Sequence, residues 1–122
     1  MIQANELRIG NWVNFHNDNT YFEVTEITKE GLGVRNETMD TWIEIDEFSP
    51  VPLTPEILEK CGFKDSEWEH KTKSECLFVG NDIIHIMDAR DKNYSFTAPC
   101  KYLHQLQNLY FSLTGTELII NL

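Results

Sequence analysis

A thiol becomes a nucleophile near neutral pH only when a neighbouring imidazole or cation stabilises its thiolate, and one segment of this chain offers that pairing. "SECLFVGNDIIHIMD" reads as a β-hairpin with Gly80 and Asn81 as a two-residue turn. In that register Val79 faces Asp82, Phe78 faces Ile83, Leu77 faces Ile84 and Cys76 faces His85. The supporting parts of a cysteine site are missing from the sequence. No Gly-rich oxyanion loop adjoins Cys76, no carboxylate is identified to orient His85, and Phe78, Ile83 and Met87 on the same face suit ordinary packing. The thiols are therefore expected to be structural and the protein non-enzymatic, with a cysteine-dependent enzyme using Cys76 and His85 as an alternative.

Metal chemistry needs ligands brought together on one or two elements. His16, His70, His85 and His104 are scattered singly, with no HxxxH and no Cys pair. Cys61, Cys76 and Cys100 are an odd number without CxxC spacing, which argues against a disulfide framework or a zinc knuckle and suits a reducing cytosol. No metal or cofactor is expected. The run "ETMDTWIEIDEF" carries Glu37, Asp40, Glu44, Asp46 and Glu47 with no base among them. A calcium loop needs closer alternate oxygens and a central Gly, so the plain reading is a solvated sheet face and turn.

Acids outnumber bases 20 to 10, for a net charge of −10, and residues 1–50 hold ten of the acids against three bases. Such a chain repels nucleic-acid phosphates and anionic lipid. The charge instead allows a basic protein partner, including one whose nucleic-acid groove an acidic protein could occupy by imitation. Trp12, Tyr21 and Trp42 fall on the outward side of the first predicted sheet and supply aromatic anchors typical of protein interfaces. With Glu44 and Asp46 they form one candidate partner-binding surface. Nucleic-acid binding through the same aromatics, as in SH3-like modules, is disfavoured because no Lys or Arg neighbours them.

A second candidate lies in "YLHQLQNLYFSLTG". At 100° per residue, Leu103, Leu106, Leu109, Tyr110 and Leu113 fall in one apolar arc. His104, Gln107, Asn108 and Phe111 form a stripe beside it. Two amides, an imidazole and a bulky aromatic exceed what a solvated face needs. The preferred expectation is structural, with His104 and Asn108 bonded within the fold and Phe111 filling a seam between the two halves; His104, Asn108 and Phe111 as a partner surface is the other.

Several short elements must position these residues. "NWVNF", "YFEVTEIT", "LGV" and "TWIEI" read as strands of a small curled antiparallel sheet, with Val13, Phe15, Phe22, Val24, Leu32, Val34, Ile43 and Ile45 inward. Ile27 is out of phase with Phe22 and Val24, which predicts a bulge. Thr54 as N-cap, Pro55 in the first turn and Gly62 in a left-handed conformation bound a short helix over 55–61. A long helix is predicted over 99–113, opened by Pro99, capped by Thr97 and closed by Gly115. A final strand is predicted over 117–122. The N-terminus lacks the basic start and apolar core of a signal peptide, and no apolar run approaches the roughly 20 residues of a membrane span. A cytoplasmic location is expected, without membrane association.

"PLTPEILEKCGF", "YLHQLQNLYFSLTGTEL" and the opening "ELRIGNWV" resemble the signature segments of a family of small uncharacterised proteins from anaerobic gut bacteria, often in prophage-like or mobile regions. The resemblance covers about a third of the chain and implies an origin in a mobile element, with no catalytic residue to carry over. "RIGNWV" also resembles the opening strand of SH3-like barrels. The resulting expectation is an α+β protein in one packed unit. An SH3-like β-rich subdomain over 1–50 packs on a helix, β-hairpin, helix and strand over 51–122, and the whole acts as a non-enzymatic binding or accessory protein.

Overall fold

Two-residue alternation of apolar side chains builds the first part of the molecule. In the computed structural model, which describes residues 2–16, 20–64, 69–71, 75–88, 90 and 95–122, it gives β1 (Trp12–Phe15), β2 (Thr20–Ile27), β3 (Gly31–Arg35) and β4 (Asp40–Glu44). A 3-10 turn, Ile45–Glu47, leads into the two-residue β5 (Phe48–Ser49), which returns to pair with β1. The antiparallel sheet runs β4-β3-β2-β1-β5. Its inner face buries Val13, Phe22, Val24, Leu32, Val34 and Phe48, with Ile2 added from the N-terminus. Phe15, Phe22 and Phe48 meet edge to face at centroid distances of 6.0–6.5 Å, the geometry favoured by the aromatic quadrupole. The phase slip at Ile27 is a bulge: the β2–β3 register shifts between Val24 and Glu26, so that Ile27 rejoins Leu32.

The second part begins with α1 (Pro55–Lys60). The Thr54 hydroxyl accepts from Ile57 N–H at 3.3 Å, and Gly62, at φ +86°, supplies the left-handed exit. A four-stranded antiparallel sheet follows: β6 (Glu69–Lys71), β7 (Glu75–Gly80), β8 (Ile83–Asp88) and β9 (Ser95–Pro99), in that order. Leu77, Val79, Ile84 and Ile86 form its buried face. Main helix α2 (Leu103–Thr114) ends before Gly115, whose φ is +73°. The protein is thus mixed α+β, with antiparallel sheets and one main helix. By internal contacts the chain divides into two units, Met1–Val51 with Tyr102–Asn108, and Pro52–Lys101 with Leu109–Leu122.

Three expectations are corrected. The hairpin turns at Asn81 and Asp82, both left-handed at φ 54° and 62°, so Val79 opposes Ile84, Phe78 opposes His85 and Cys76 opposes Met87. Asn and Asp tolerate the positive φ that such a turn needs at both central positions, which leaves Gly80 at the end of β7. The register moves by two residues, so the buried face is unchanged. The long helix starts at Leu103: Thr97 and Pro99 belong to β9, where they pair with His85 and Ile83. The helix opens where Gln105 Oε1 accepts from Tyr102 N–H at 3.0 Å and Val51 C=O accepts from Leu103 N–H at 2.8 Å, satisfying N–H groups that a helix start leaves unpaired. Residues 117–122 form no strand; Leu118 is buried, and Asn121 N–H donates to Lys60 C=O at the end of α1.

Candidate functional site

The exposed acids and the aromatic anchor converge on β4, the terminal strand of its sheet among the described residues. Its alternation exposes Asp40, Trp42 and Glu44 on one side and half-buries Thr41 and Ile43 on the other. Trp42 is 46% exposed although it is a large aromatic. Gly31 explains its seating. A Cβ there would lie 2.5 Å from Cζ2 of the Trp42 ring, so only glycine lets the indole lie across the backbone of β3. Glu26 sits beside this row, paired with Gly33, which in turn pairs with Trp42. Arg35 stands opposite Asp40, and its guanidinium is bonded to Glu23 at 3.1 Å. Asp46, in the turn after β4, is exposed as well.

The three outward aromatics do not form one patch. Trp12, on β1, and Tyr21, at the start of β2, are each half-buried. Trp12 is three strands from β4, or about 14 Å at the usual strand spacing. Trp42, Asp40, Glu44 and Asp46 therefore make the surface without Trp12 and Tyr21. Asp40 joins Trp42 through the alternation of β4 itself, whereas Glu26 joins it only through pairing with Gly33 on a neighbouring strand, which no local pattern shows.

The helical stripe is divided by burial. His104 and Gln107 are buried, Asn108 is half-buried, and Phe111 is 38% exposed. Asn108 Oδ1 accepts from Asn11 Nδ2 at 2.8 Å and Arg8 Nε at 3.2 Å, while its Nδ2 donates to Glu6 C=O at 3.2 Å. Gln107 behaves like an added piece of strand: Oε1 accepts from Trp12 N–H and Nε2 donates to Gly10 C=O, both at 2.9 Å. These amides hold the segment before β1 in place.

His104 differs from its neighbours. Its ring stacks on Tyr102 at 6.0 Å, and neither ring nitrogen has a hydrogen-bond partner among the described residues, corrected from the expectation of a bonded group. Burial lowers its pKa from 6.5, opposed by the Glu6 carboxylate, whose Oε1 lies 3.9 Å from Nε2. The folded state then binds fewer protons than the unfolded chain, so stability rises with pH across this window. The contribution is fully present above the unfolded value near 6.5 and is lost as pH falls toward the lower folded value. Thermal melts of wild type and His104→Leu across this range should therefore diverge, the wild type losing more stability on acidification. Parallel melts would show that His104 is not held neutral. At neutral pH the leucine variant should match or exceed the wild type, since it removes a buried polar group with no partner.

The thiol chemistry loses its pairing, because Cys76 opposes Met87 and His85 opposes Phe78. Cys61 and Cys100 are buried, and burial pushes each thiol up to about 12. Cys76 is half-buried. Native protein treated with a thiol reagent at mildly alkaline pH should be modified at Cys76 first, with Cys61 and Cys100 reacting only on unfolding. Rapid native labelling of Cys61 or Cys100 would contradict this assignment.

A cavity of about 170 Å³ lined by Leu53, Pro55, Leu58, Val79, Asp82 and Cys100 is well below the roughly 300–1,000 Å³ of small-molecule sites. Among the described residues no three His, Cys, Asp or Glu side chains gather as a metal-binding group, and no helix is long and apolar enough to cross a membrane. Compared with known proteins, the chain matches no family model, no curated protein and no solved structure.

Proposed function

We propose that this protein is a non-enzymatic binding or accessory protein whose partner is a basic protein docking on the acidic, aromatic face of β4. The observation that carries the reading is Trp42, 46% exposed and flanked along the strand by exposed Asp40 and Glu44. A half-exposed indole offers apolar contact area to a partner, and the carboxylates around it select for positive charge. The SH3-like reading of the first unit belongs to the same proposal; a five-stranded antiparallel sheet in which β5 returns beside β1 after a 3-10 turn suits it. So does an origin in a prophage-like element, supported by the three sequence segments quoted above, and action in the cytoplasm, supported by the free thiols.

The reading is tested by comparing wild type with a Trp42→Ala, Asp40→Asn, Glu44→Gln variant in affinity capture from the native host. Basic proteins retained by the wild type in a salt-sensitive manner should be lost by the variant. Short single- or double-stranded DNA should bind only weakly at physiological salt, because neutralising phosphates requires clustered cations. Capture that is indifferent to the variant, or submicromolar DNA binding, would overturn the proposal.

A further inference from the structure

Resting on the acidic-surface reading, we infer that β4 accepts an extended segment of a basic partner as an added antiparallel strand, with positive side chains alternating along it. The backbone supplies the first argument. Ile45 N–H donates to Glu30 C=O, and Asn36 N–H donates to Met39 C=O, which fixes the 30/45 and 36/39 pairs as the hydrogen-bonded ones. In an antiparallel ladder bonded and non-bonded pairs alternate. Thr41 and Ile43 therefore direct their backbone groups toward β3, whereas Asp40, Trp42 and Glu44 direct theirs to the outer edge. Gly31 agrees: opposite Glu44, its C=O accepts from Thr28 N–H on the β2 side instead. A terminal strand with outward N–H and C=O groups is a template for another chain.

Charge selects the occupant. On an added antiparallel strand, residues opposite Asp40, Trp42 and Glu44 share their face. Arginine at those alternate positions would meet two carboxylates and lie over the indole, a cation–π arrangement. The intervening residues would flank half-buried Thr41 and Ile43 and are best apolar. A second copy of this chain is disfavoured on the same edge, since antiparallel pairing of β4 with itself about Trp42 sets Asp40 against Glu44 in both directions. Like charges directly opposite are repulsive.

Glu44 permits a clean test. Its backbone is at φ −60°, ψ 145°, which proline adopts without strain, and its N–H points outward, so Glu44→Pro removes one edge donor and one charge. Glu44→Gln removes the charge alone. The full-length protein and both variants are titrated with two labelled synthetic peptides of equal composition, one with arginine and valine alternating, the other with the arginines in a block. The wild type should prefer the alternating peptide by about five- to tenfold. That preference should persist in Glu44→Gln and shrink in Glu44→Pro. Equal binding of the two peptides, or equal loss in the two variants, overturns strand addition while leaving the acidic surface as a docking face. No binding of either peptide at low salt overturns both readings.

Discussion

Leu106→Ala is expected to lower the unfolding free energy by about 2–5 kcal/mol, through lost burial and the cavity left behind. Leu106 is fully buried on α2, as is Leu103 one turn earlier. Domains of this size are stable by only about 5–15 kcal/mol, so a single truncation here removes a large share of the total. Denaturant titration should show a lower midpoint with an unchanged slope, the sign of lost stability without a change in the surface exposed. Phe111→Ala, on the same helix and 38% exposed, provides the contrast and should cost clearly less than Leu106→Ala. Similar losses for the two would show that the helix does not bury the face assigned to it.

Gln107→Ala should be the next most damaging. It strands Trp12 N–H and Gly10 C=O, and each unpaired buried group costs about 1–3 kcal/mol. Gln107→Glu distinguishes the two bonds. The carboxylate still accepts from Trp12 N–H but sets an oxygen against Gly10 C=O, so the variant should be less stable than the wild type despite its nearly identical size. Amide exchange gives a local readout: the Trp12 N–H should lose protection in Gln107→Ala and retain it in Gln107→Glu. Unchanged exchange at Trp12 in the alanine variant would mean that the side chain does not hold this strand. Asn108→Ala acts on the same segment by releasing Arg8, Asn11 and the Glu6 carbonyl.

The sequence by itself determined the elements whose signals are local. Alternation in residues 12–45 placed four strands and their inner face, because a half-buried strand records its burial in its own two-residue period. The slip at Ile27 marked the bulge. Thr54, Pro55 and Gly62 bounded α1, and Gly115 closed α2, since caps act on backbone groups within a few residues. The acids of β4 were also legible as a run without bases.

What only the tertiary structure decided depends on partners distant in sequence. Thr97 and Pro99 carry good signals for a helix start, yet pairing with β8 draws them into a strand, because the edge of a buried hairpin offers more hydrogen bonds than a helix nucleus does. The same applies to 117–122, whose alternation found no strand to pair with. Asn81 and Asp82, not Gly80, took the left-handed turn, which set Cys76 against Met87. Gln107 was legible as part of a polar stripe too rich for a solvated face, but its partners, Trp12 N–H and the backbone of Gly10, 97 residues away, were set by the fold. The seating of Trp42 was decided by β3, which places Gly31 beneath the indole, and among the described residues the far edge of β4 pairs with no strand. Periodicity reports which side of an element is apolar; which polar groups meet, and which strand edge stays unpaired, is fixed by contacts between elements that no local pattern encodes.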